Sequence, residues 1–258
     1  MRGARVIFRD AGHFGFFLRE GVQAAAEIEQ MLTSPTPFRE RLVWFWTNHF
    51  TVSLRRGEVA PLAAAFVEEA IRPHVTGRFA DMLLAVMRHP AMLRYLDNDQ
   101  NAKGKINENY AREIMELHSM GVGSGYSQQD VQELARILTG VGVDQKPDAP
   151  RLKPELQPLY IRAGLFEFNP ARHDFGSKTL LGQTVQGRGA VELDEALDLL
   201  ARHPHTARHI CRKLAKQGVD AVAVCFLHAY ANPEHEARLG KRLREAIPFV
   251  SLSHEISP

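Results

Sequence analysis

Apolar residues recur at three- and four-residue intervals along most of this chain. That period is the strongest constraint on its fold, because it marks one buried face of an α-helix. The segment "TPFRERLVWFWTNHF" places Phe38, Leu42, Phe45, Trp46 and His49 on one stripe, behind Thr36 as a helix cap and Pro37 at the first helical position. "FADMLLAVM" does the same with Phe79, Met82, Leu83, Val86 and Met87, and His89-Pro90 then breaks the helix and starts a short one through Tyr95. In "INENYAREIMELH" the apolar arc is Tyr110, Ala111, Ile114, Met115 and Leu117, with Asn107 and His118 inside it. Glu108, Arg112 and Glu116 fall on the other side at i,i+4 spacing, as an ion-pair ladder. "SQQD" from Ser127 to Asp130 is a capping-box pattern, followed by Val131, Leu134, Ala135 and Leu138 and ended by Gly140. Helical spacing resumes at Leu193, Ala196, Leu197 and Leu200, and again in "HPHTARHICRKLAK", where Pro204 suits a helix start.

The middle of the chain differs. Residues 145–158 carry four prolines, as an extended surface loop does, and "LFEFNPARHDFGSKTLLGQTV" reads as two short strands around a polar turn. The expected architecture is mainly α, an irregular multi-helix domain over residues 1–258 with 145–188 as a loop and β-hairpin insertion. Hydrophobic content of 45% and charged content of 24% fit a globular chain with a substantial core and exclude a disordered or fibrous class. A net charge of +2 gives no sign of a dedicated nucleic-acid binder, and the basic run "RLGKRLR" reads as a solvated helix face. Cys211 and Cys225 are too few for a disulfide framework. No run approaches the roughly 18 to 20 apolar residues of a membrane span. The first twenty residues lack the apolar run and cleavage site of a signal peptide.

Few motifs carry chemistry by themselves. "GVGSG" follows a helix rather than a strand, so its glycines read as helix termination and a turn into Ser127, not as a phosphate cradle. Glu113, Glu116 and His118 form E-x-x-E-x-H, which diverges around a helix and matches neither a di-iron helix nor a zinc signature. His205 and His209 stand at i,i+4, a pair that needs a third ligand from elsewhere to hold a metal. His49 and His118 each sit on an apolar stripe. A buried histidine of that kind either donates to a backbone carbonyl and stays neutral, or shares a pocket with a carboxylate and does acid-base or ligand-binding work. "RHDFGSK" gathers Arg172, His173, Asp174 and Lys178 around Gly176; a turn needs Asp and Gly for backbone reasons, and exposed His and Lys beside it suit an anion.

Together "PFRERLVWFWTNHFTVS", "HPAMLRYLDN", "NENYAREIMELHSMGVGSGYSQQDVQELARILTGVGVD", "RHDFGSKTLLGQ" and "HPHTARHICRKLA" resemble, in this order, the bacterial family catalogued as domain of unknown function 1800, over about residues 36–216. The resemblance implies a mostly helical protein with no established activity, often exported. It also implies a partner in a second family, domain of unknown function 1501, which resembles the sulfatase and alkaline phosphatase superfamily. Family-motif positions correspond to Asn48, His49 and Phe50, to Asn107, Glu108, Asn109, Arg112, Glu113, Glu116 and His118, and to His173, Asp174, Gly176 and Lys178. His205 and His209 lie outside the motif. The family's usual N-terminal region and export signal are not matched, and the match loosens after about residue 216, as in a fragment or a shortened homologue.

The resulting expectation is a ligand- or partner-binding component of an envelope-associated or secreted system. Its polar pocket is expected to draw Asn48, Asn107, Asn109, Arg112, His173, Asp174 and Lys178 from three segments. The alternative is a hydrolase, with or without a metal, in which His118 or His49 is general base or ligand and Glu113 its partner. A third is a purely structural partner-binding protein. No motif assigns a cofactor or a metal.

Overall fold

Pro37 opens a helix at the start of the continuously described part of the structure, a computed structural model that describes residues 29, 33–53, 55–146, 148–215, 221–224, 233–245 and 249–256. The N-terminal segment and Cys225 read above lie outside the described residues. By backbone contacts the chain divides into two compact units, one made of the residues up to Arg112 with Gln128–Leu197, the other of Glu113–Ser127 with the residues from Asp198 on.

In the first unit, α1 (Pro37–His49) has proline at its first turn, but Thr36 makes no side-chain cap. Instead the Thr36 N–H donates to Ser34 Oγ at 3.1 Å. The expected stripe holds only in part: His49 is buried and Leu42, Phe45 and Trp46 are half-buried, but Phe38 is 72% exposed, and Glu40 and Val43 are buried instead. Glu40 is drawn inward by Arg72, whose Nη1 donates to both carboxylate oxygens at 2.7 and 2.8 Å. A short α2 (Ala63–Phe66) widens into a π-helical turn, Val67–Ile71, against which α1 packs. Helix α3 (Phe79–Arg88) buries Met82, Leu83, Val86 and Met87, as its spacing predicts. It ends at His89, whose Nδ1 accepts from the Ala91 N–H at 3.1 Å and so caps α4 (Pro90–Tyr95).

Helix α5 (Asn109–Glu113) runs on into a second π-helical turn, Ile114–His118, which begins the second unit. The wider turn shifts the face: Tyr110, Ala111, Ile114, Met115 and His118 are buried, but Leu117 is 45% exposed. In the first unit, α6 (Gln128–Ile137) buries Val131, Leu134 and Ala135 and stops at Gly140, where φ is +79°.

The insertion is not one hairpin. Three strands, β1 (Val141–Val143), β2 (Ile161–Ala163) and β3 (Phe166–Phe168), form an antiparallel sheet in the order β1-β3-β2. A separate hairpin pairs β4 (Lys178–Leu180) with β5 (Gln183–Val185). Its two-residue loop, Leu181-Gly182, has positive φ at both positions, the geometry that matches strand twist. Asp130 of α6 holds that loop by accepting from the Leu181 N–H at 2.7 Å. "RHD" therefore lies between two sheets in the chain rather than at a hairpin tip, and His173 in it is buried. Helix α7 (Val191–Arg202) starts in the first unit and ends in the second.

In the second unit α8 (Pro204–Ala215) follows α7, and a parallel pair, β6 (Ala221–Val224) with β7 (Phe249–Leu252), is flanked by α9 (Glu234–Arg244) and a final turn, α10 (Ser253–Ile256). Arg238, Lys241 and Arg244 of the basic run are exposed. Among the described residues, no helix is long and apolar enough to cross a membrane.

Candidate functional site

In the first unit His173, Asp174 and Lys178 belong to a closed buried network, and an open cleft lies elsewhere, among residues outside the family-motif positions named above. The network begins at Thr139, past the end of α6. His173 Nδ1 lies 2.7 Å from the Thr139 carbonyl, which can only accept, so Nδ1 donates to it. On the other side of the ring, Nε2 faces Glu192 Oε1 at 2.9 Å. Lys178 Nζ meets the second oxygen of Glu192 at 2.5 Å and also donates to the Asp174 carbonyl. The Gly189 N–H adds a 2.7 Å bond to Glu192 Oε1.

All three side chains are sequestered: His173 is 2% exposed, Lys178 1% and Glu192 0%. Phe168 and Phe175 stand edge-on to the imidazole, with ring centres at 5.1 and 4.8 Å. Burial pushes the Glu192 carboxyl upward, but donors from His173, Lys178 and Gly189 outweigh it and hold the group below its ordinary value. The expectation that His173 and Lys178 are exposed is thus corrected: both are buried. A carboxylate of the same chain lies against both.

The network reaches toward the surface through Asp174. Arg136 Nε bonds its carboxylate at 2.9 Å and holds it at about 2, well under the usual range. Arg136 also grips Glu133 with two bonds of 2.9 and 3.0 Å, and Glu133 accepts from the Thr179 N–H of β4. Each partner ties one element to another, so this set acts as a clasp between α6, the segment after β3, β4 and α7. Sequence reasoning missed Glu192. Its one local signal is position: three residues after Gly189, it reaches back to the helix-start N–H as the acidic member of a capping box does.

Asn107 and Asn109 each donate to a backbone carbonyl, Asn107 Nδ2 to that of Asp97 at 3.0 Å and Asn109 Nδ2 to that of Leu96 at 3.4 Å. Buried Asn98 donates to the carbonyls of Leu138 and Val141, and buried Asn101 to that of Ala135. These amides pin the loop after α4, in which Asp97 adopts a left-handed φ of +57°. Arg112 bonds Glu108 at 3.3 Å and Gln128 at 2.8 Å, part of the expected ladder.

The pinned loop forms one wall of a 420 Å³ cleft, whose other wall is the turn Arg56–Val59. Arg56 holds the Asp97 carboxylate with bonds of 2.6 and 3.0 Å. Arg94 approaches Glu58 at 2.9 Å and Asp99 at 3.4 Å. The cleft therefore carries two guanidinium groups and three carboxylates, an excess of one negative charge. None of its lining residues was singled out from the sequence, since its five charged members read there as ordinary surface charges.

Asn48 is exposed at the end of α1, and His49 is buried among the rings of Phe45, Trp46, Phe50 and Phe79. His49 belongs to the first unit, Glu113 and His118 to the second. In that second unit Ser119 Oγ donates to the Ile114 carbonyl at 2.7 Å, Tyr126 donates to Glu116 at 2.8 Å, and His209 and Lys213 of α8 reach the Leu117 carbonyl at 3.3 and 3.4 Å. His209 is thereby placed as a donor to a helix end. His203, not His209, is the ring beside His205, with centres 5.3 Å apart. Among the described residues no three His, Cys, Asp or Glu side chains form a group suited to a metal ion.

Comparison with known proteins adds a family but no chemistry. A stretch of 54 residues is 41% identical to 5-oxoprolinase of Saccharomyces cerevisiae, covering 20% of this chain and 4% of that protein, a share too small to carry a fold or an activity. No solved structure matches. The model of a family described as "Protein of unknown function (DUF1800)" matches residues 19–242, which take in the clasp, the asparagine-pinned loop and both walls of the cleft, and the chain belongs to that family.

Proposed function

We propose that this protein is a binding module that takes a small cationic or zwitterionic molecule in the cleft between Arg56–Val59 and the Arg94–Gln100 loop. The observation that carries this reading is the cleft itself: 420 Å³, within the range of small-molecule sites, with an odd carboxylate among paired charges. Asp97 supports it, because a non-glycine residue in left-handed conformation, over-determined by surrounding amides, is a feature concentrated at binding loops. The ligand is expected to pair its ammonium or guanidinium group with Asp99 and Glu58, and any carboxylate with Arg56.

A role in an exported or envelope-associated system, alongside a member of the domain of unknown function 1501 family, is what the family resemblance implies for the whole protein. A second reading places acid-base chemistry at His118 with Glu113, favoured by the π-helical turn that carries His118, since such turns recur at functional sites.

Thermal unfolding with spermidine and with L-arginine as probes tests the binding proposal. A ligand at 100 times its Kd stabilises by about 2.7 kcal/mol, so a rise in Tm is expected for one or both, abolished by Asp99→Asn. Unchanged melting at millimolar concentration of either probe contradicts it.

A further inference from the structure

A second cavity, of 210 Å³, lies against the three-stranded sheet and is built in the opposite way from the polar cleft. Val141 of β1, Ala163 of β2, Phe166 and Phe168 of β3 and Leu193 of α7 line it, and Arg88 at the end of α3 is its one charged lining residue. The Arg88 guanidinium stands 5.7 Å from the centre of the Phe166 ring. One of its nitrogens meets Asp194 at 2.5 Å, in a pair whose side chains are 35% and 44% exposed.

Arg88 Nε, by contrast, is buried and has no hydrogen-bond partner among the described residues. A buried N–H left without an acceptor is costly and calls for one. Apolar walls supply none. Asp194 is too exposed to make its pair with Arg88 strong, so the guanidinium can turn part of its fork to another anion.

We propose that this cavity binds a small amphipathic monocarboxylate. Its hydrocarbon part fills the space between Phe166, Phe168, Val141 and Leu193, and its carboxylate pairs with Arg88. A cavity of 210 Å³ suits a medium-chain or aromatic acid. This site is independent of the polar cleft, with which it shares no lining residue.

Calorimetric titration of the whole chain with octanoate, and with 1-octanol as the uncharged comparison, tests the proposal. Octanoate is expected to bind saturably and about tenfold or more tighter than 1-octanol, the difference a charge-assisted bond supplies. Arg88→Gln is expected to erase that advantage while leaving 1-octanol unchanged. Ala163→Trp, on the exposed edge strand β2, fills the cavity and is expected to abolish binding of both. Equal affinity for the two probes, no binding of octanoate, or octanoate binding that survives Ala163→Trp in folded protein overturns it.

Discussion

Glu192 Oε1 lies 2.9 Å from His173 Nε2, and neither side chain exposes any surface. Water cannot stabilise this carboxylate, so His173, Lys178 and the Gly189 N–H must do so together. Removing one side of the Lys178–Glu192 pair leaves the other buried without its counter-charge. Glu192→Gln is therefore expected to cost about 3 to 5 kcal/mol in urea unfolding, and Lys178→Met a similar amount. The double variant Lys178→Met/Glu192→Leu should lose much less than the sum, and strict additivity would sink the clasp.

Acid should weaken the same region. Asp174 titrates at about 2 in the folded chain against an ordinary 3.8, because Arg136 holds its charged form. A carboxyl with a depressed folded value contributes stability that is complete above 3.8 and is lost as pH falls through about 2. Glu192, also held below its ordinary value, adds to the loss on the acid side. Urea midpoints measured from about pH 5 down to about pH 2 should fall, and fall less steeply in Asp174→Asn.

His89 gives a second pH signature, nearer neutrality. Burial lowers its value from 6.5, with Glu69 opposing in part, and its unprotonated Nδ1 is what accepts from the Ala91 N–H. For a base with a depressed folded value, stability is complete above 6.5 and is lost as pH falls through the folded value. His89→Asn keeps a capping oxygen and should flatten this limb of the stability profile. An unchanged slope would show that His89 is not its source.

Gly140 ties the clasp to the sheet. Its φ is +79°, and a Cβ there would stand 2.5 Å from the Asn169 carbonyl oxygen and 3.3 Å from His173. Gly140→Ala is expected to destabilise by at least about 2 kcal/mol, combining left-handed strain with a backbone clash. A change under about 0.5 kcal/mol, the range of ordinary surface substitutions, would contradict the stated geometry.

Elements whose signal is local were legible in the sequence. Helix α3 and its boundary at His89-Pro90 follow from spacing and from the restriction proline imposes on the preceding residue. The exposure of Leu117 was not legible, because a 3.6-residue wheel does not describe the π-helical turn Ile114–His118. Nor was the three-stranded sheet: β1 is three residues long and pairs with β3 some twenty-five positions away.

The site divides along the same line. His173, Asp174 and Lys178 were found as a cluster, but their burial depends on Glu192, which is 14 positions beyond Lys178 and carries no short-range sign of the pairing. Asn107 and Asn109 were found as polar anomalies, and the structure gives them backbone carbonyls as partners. Arg56, Arg94 and Asp99 meet only through the fold, where two ordinary polar turns face each other across the cleft.

The central claim is that this cleft holds a cationic or zwitterionic molecule, and amide chemical-shift mapping with spermidine tests it most directly. Binding at the cleft predicts saturable shifts confined to Arg56–Val59 and to the segment from Arg94 through Gln100, lost in Asp99→Asn. Shifts that gather elsewhere, or no saturable shifts with either spermidine or L-arginine, would contradict the account.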